Sequence, residues 1–102
     1  MSLTVMMMAL GMSTQPADTV SGPRARFDAC LDQRVAAAKA AGKTPDAFRQ
    51  EVRTACAPEA AAFKKALIDY DRSTGQSPAE AAAWAEDDVN DHRDAAARRY
   101  AR

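Results

Sequence analysis

Apolar residues recur along this chain at spacings of three and four, and no stretch alternates in the manner of a strand. Phe27, Cys30, Leu31, Val35 and Ala38, with Arg34 among them, share one face of a helix expected over residues 24–41. Phe48, Val52, Ala55, Cys56, Glu59, Phe63, Leu67 and Tyr70 make a second stripe, expected over 45–72. That stripe keeps its phase through Pro58, where proline removes one backbone hydrogen bond and collides with the preceding turn. The expectation there is a kink or a one-turn break without chain reversal; the alternative is a second helix starting at Pro58. A third helix is expected over 78–100, with Ala81, Trp84, Ala85 and Val89 as its apolar face and a polar, fraying second half. In this scheme Trp84 docks onto Phe63 and Leu67; an exposed Trp84 would instead mark a partner surface.

The punctuation agrees with these limits. Gly42 and Gly75 stand where left-handed residues close helices. Thr44-Pro45-Asp46 offers a cap, a first-turn proline and an acid at the positive end of the dipole. Ser77-Pro78-Ala79-Glu80 adds the acid of a capping box. The third helix carries Glu80, Glu86, Asp87 and Asp88 early and Arg93, Arg98 and Arg99 late, a polarity that suits its dipole.

Upstream, Leu3–Met12 is an apolar run interrupted only by Thr4 and Gly11. It is far short of the roughly 20 residues of a membrane span and matches the apolar core of a secretory signal peptide. Residues 1–17 are therefore expected to be a removed leader, cut after Ser13 or Ala17, and 18–23 a linker to one helical domain over 24–102. No Lys or Arg precedes Arg24. The leader thus lacks a basic start, which fits an initiation site lying within a longer one. The implied compartment is periplasmic or extracellular.

Composition changes the picture in two ways. All five methionines fall in the first 12 residues, and beyond Asp18 alanine dominates while Leu, Ile, Val and Phe contribute only ten residues. The core is thus thin, and a small domain with a thin core gains most from a covalent staple. Charge is balanced at 14 basic and 14 acidic residues, so nothing marks a nucleic-acid or anionic-membrane surface.

The two cysteines supply the staple. Cys30 lies 13 residues before Lys43, at the centre of the first turn, and Cys56 lies 13 after it. In an antiparallel hairpin both then sit at one level, about 20 Å from the turn. Ala29, Ala37, Ala38, Ala55 and Ala60 are small enough to let the helices approach to disulfide distance. The expected fold is all-α: an antiparallel helical hairpin locked by a Cys30–Cys56 disulfide, with a third C-terminal helix packed back against it. Without a CxxC spacing, the pair does not read as redox-catalytic.

Chemistry is sparse. Asp87, Asp88 and Asp91 spell D-D-x-x-D, which resembles the magnesium–diphosphate motif of terpene and prenyl synthases. Those enzymes are much larger, the likeness covers six residues, and no role is carried over from it. Asp88 and His92 are four apart, so Asp87, Asp88, Asp91 and His92 are weak metal-ligand candidates; the plainer reading is a solvated acidic face beside an Asp94–Arg98 ion pair. His92 is the only histidine, and no nucleophile pairs with it. No cofactor is expected. The function expected is that of a small secreted interaction protein (inhibitor, adaptor or chaperone-like) with an unidentified protein partner and no catalysis. Weak divalent-metal binding and structural self-association through Ala-rich faces are the alternatives.

Overall fold

The computed structural model describes the backbone of residues 16–102 and the side chains from Thr19 onward. Among the described residues there are four helices and no strand: α1 (Pro16–Ala40), α2 (Pro45–Val52), α3 (Ala57–Ser73) and α4 (Pro78–Ala101). The leader reading rests on residues 1–15, which lie outside the described ones, and on the first residues of α1.

Helix α1 starts earlier than the sequence pattern indicates. Residues 18–23, expected as a linker, are helical, and Pro23 lies inside the helix. The cause is Val20, which looked isolated in the sequence but continues the stripe of Phe27 and Leu31 by two turns and is buried in the core. Burial of that valine offsets the backbone hydrogen bond that Pro23 cannot donate.

The turns follow from local chemistry. Gly42, with φ of 69°, closes α1: its N–H donates to Lys39 O at 3.1 Å, and Lys43 N–H donates to Ala38 O at 3.1 Å. This is the Schellman pattern, and it reappears at Gly75 (φ 101°), where Gly75 and Gln76 donate to Arg72 and Asp71. Thr44 caps α2 by accepting from Ala47 N–H at 3.1 Å. Ser77 caps α4 by accepting from Glu80 N–H at 3.1 Å.

The expected 45–72 helix is two helices, and the break precedes Pro58. Helix α2 stops at Val52, a loop of turns follows, and Cys56 adopts the left-handed conformation (φ 61°) immediately before α3. Pro58 then lies in the first turn of α3, where its missing N–H removes no helical bond. The chain does not reverse across the break. Phe63 rests near Phe27 (ring centroids 5.9 Å), and Leu67 and Tyr70 lie beside Val20, so α3 continues along α1 in the opposite sense. The Cys30–Cys56 disulfide joins α1 to the start of α3, with Cα atoms 6.1 Å apart. Cys56 is therefore no mid-helix residue, although it sits at the level the 13-and-13 spacing requires.

Helix α4 packs against all three other helices. Its buried residues are Ala81, Ala85, Val89, Ala96 and Tyr100, one residue per turn or two along a single stripe. The centre of the core is Phe27, Leu31, Phe48, Phe63 and Val89, all essentially inaccessible to water.

Candidate functional sites

The acidic segment of α4 comes first. His92 is half-buried, with its ring 5.1 Å from Phe63, edge-on, and 5.9 Å from Phe27. Its Nδ1 lies 2.6 Å from Asp28 Oδ1 of α1. The imidazole thus packs by its body against the core and ties α4 to α1 by its polar tip. Asp87, Asp88 and Asp91 are exposed, and Asp88 borders a shallow recess with Val20, Arg24 and Tyr70. No three of Asp87, Asp88, Asp91 and His92 bring ligand atoms together. The expected Asp94–Arg98 pair is not formed; Arg99 instead reaches Asp32 of α1 at 2.8 Å.

The converging group among the described residues is Cys30, Cys56 and Glu59, whose ligand atoms lie within 4.8 Å of one another. Both sulfurs are committed to the disulfide, so the group holds no free thiolate.

Trp84 is not where the sequence reading placed it. It is 47% exposed, and Tyr70, at 37%, is the other exposed large apolar side chain. Helices α3 and α4 are in contact, and the buried residues on the first turns of α4 are the small Ala81 and Ala85, with Ala60 buried on α3. Two residues along α4, Lys64 of α3 reaches across to Glu86 at 2.5 Å. The hydrogen bond and charge of Lys64 hold the Glu86 carboxyl below the usual range.

The second half of α4 does not fray. Tyr100 stacks on Phe48, ring centroids 4.5 Å apart. Its hydroxyl lies against the carbonyl oxygens of Ala38, at 3.2 Å, and of Lys43, at the closing turn of α1. Arg93 extends under the α2–α3 loop, where its Nη2 donates to Ala55 O at 2.7 Å and its guanidinium lies 5.6 Å from the Phe27 ring centroid. Burial pushes the Arg93 pKa down, and Glu86 opposes the shift. Sequence reading missed both residues. The available signal was position: Val89, Arg93, Ala96 and Tyr100 are spaced four, three and four apart, on the stripe that is buried.

Comparison of the chain with known protein families, with curated proteins and with solved structures finds no match.

Proposed function

We propose that this chain is a small secreted or periplasmic interaction protein that binds another protein through the surface around Trp84. The carrying observation is the 47% exposure of Trp84 on a helix whose buried stripe is otherwise complete. Tryptophan is costly to leave in water and is among the residues that most often anchor protein interfaces. Tyr70, on the neighbouring helix, is exposed as well and offers a second aromatic. The disulfide supports an oxidising compartment, in which an unaided thin core gains from a staple. This reading is of a binding protein and not of a catalyst. The metal-binding alternative loses support from His92, whose Nδ1 is directed at Asp28.

The test is paired capture from an envelope extract by the immobilised wild-type chain and by Trp84→Ala. The expected result is a species retained by the wild type and lost by the variant, with unchanged thermal unfolding of the variant. Equal retention by both chains would remove Trp84 from the interface and overturn the reading.

A further inference from the structure

A second feature lies at the opposite side of α4 and is independent of Trp84. Between α2 and α4 is a cleft of about 390 Å³ lined by Arg49, Val52, Arg53, Asn90, Arg93 and Asp94. Three arginines face one aspartate, an excess of two positive charges in a chain whose overall charge is zero. Arg49 also bridges Asp46, but both members of that pair are largely exposed, so it is a weak competitor. Arg53 has no ion-pair partner among the described residues.

Arg93 is the informative member. It has no acid within ion-pair distance, and its one hydrogen bond among the described residues goes to a neutral carbonyl, that of Ala55. Its Nε is cut off from water and has no hydrogen-bond partner. A half-buried guanidinium with no carboxylate within ion-pair distance keeps its charge available to an anion in the cleft it lines. Asn90 adds an amide at the same wall, for which the Glu86 carboxylate competes with a ligand oxygen.

We propose that this cleft binds a phosphoryl group, as free phosphate or as a phosphomonoester, held by Arg49, Arg53 and Arg93 with Asn90. The planar donor forks of arginine match the oxygens of a dianion, and two excess positive charges match its charge. The volume accommodates more than the phosphoryl group itself, so a small ester fits as well as the free ion. Asp94 sets a limit at the rim: it disfavours anions of higher charge.

The experiment uses the full chain in its oxidised form. Inorganic phosphate is titrated against sodium chloride at matched ionic strength while the Arg93 Nε–H and Asn90 side-chain amide resonances are followed. Glycerol phosphate is titrated in parallel, to distinguish the ester from the free ion as the preferred source. The expected result is saturable movement of both resonances with phosphate and not with chloride. Arg53→Gln should weaken the apparent affinity by about tenfold, the loss of one charge-assisted contact. Because Arg53 is exposed and makes no tertiary ion pair, this variant keeps the fold and its readout stays interpretable. Trp84→Ala should leave the titration unchanged, which separates this site from the proposed partner surface. Chloride and phosphate acting alike, or Arg53→Gln binding as the wild type does, would overturn the proposal.

Discussion

The two ends of α4 hold on to the protein by different means. The first turns carry the only tryptophan in the chain, yet they pack through Ala81 and Ala85, and the indole is left outside. The last turns look polar, with two consecutive arginines before Tyr100, yet they are fixed by Tyr100 on Phe48, by its hydroxyl at the end of α1, and by Arg99 on Asp32. Size and hydrophobicity alone assign these ends the wrong way round. Buried alanines gain by letting packed helices approach closely. A single tyrosine gains by uniting apolar burial with hydrogen bonds to carbonyls at the closing turn of a helix. One end of α4 is consequently a surface with an aromatic to spare, and the other is an anchor.

The largest expected effect falls on both ends together. Removing the disulfide with Cys30→Ser and Cys56→Ser should destabilise the chain by about 3.5 kcal/mol in the chain-entropy model, as read by denaturant unfolding. The bridge closes a separation of 26 residues and fixes α3 on α1, the floor against which α4 lies. A free-thiol assay on the denatured, unreduced wild type should find no thiol.

Next is Tyr100→Ala, expected to cost about 3 kcal/mol, through lost burial against Phe48 and lost hydrogen bonds to α1. Tyr100→Phe should keep the stacking and cost about 1 kcal/mol, the net value of the hydroxyl contacts. If α4 instead frayed in its second half, both variants would unfold with the wild type. Trp84→Ala is the mirror experiment. Its cost should stay within about 0.5 kcal/mol, as for a surface residue away from caps and networks. A cost comparable with that of Tyr100→Ala would erase the contrast between the two ends.

The smallest effect concerns pH at the first end. The Glu86 carboxyl is lowered in the folded chain by Lys64, so its contribution is present above the ordinary glutamate range, about 4.3, and is lost as pH falls through the lower folded value. Lys64→Ala should remove this component of acid sensitivity without affecting the Tyr100 end. The pair is well exposed, so the change is small.

The starts of α2 and α4 and the ends of α1 and α3 were legible because their signals are local. Thr44 and Ser77 cap, Pro45 and Pro78 open a first turn, and Gly42 and Gly75 reverse the sign of φ, each within a few residues. The level of the cysteines was legible too, since residue counts along two segments from one turn convert directly to distance. The split of the second stripe was not. Phe48, Val52, Ala60, Phe63 and Leu67 keep a helical phase across the break, and a left-handed cysteine leaves no compositional mark. Nor was the start of α1: Val20 gains meaning only when Leu67 and Tyr70 arrive beside it from α3.

The candidate sites followed the same division. The D-D-x-x-D letters were conspicuous, but letters on one helix do not converge without a second element, and His92 found its partner on α1, at Asp28. The α2–α4 cleft was invisible in the sequence because Arg49, Arg53 and Arg93 come from two helices whose pairing is a tertiary fact. Arg93 was nonetheless marked by lying on the buried stripe between Val89 and Ala96, and a charge at such a position asks for a partner.

The central claim is that Trp84 faces water and is available to a partner, and the chain offers a direct probe of it because no other tryptophan is present. Its fluorescence can be quenched with acrylamide in the native oxidised chain and in the same chain unfolded by denaturant. The account predicts a solvent-type emission in the native state and a quenching constant that is a large share of the unfolded one. A blue-shifted, quencher-resistant emission in the native chain would place the indole in the core and contradict it.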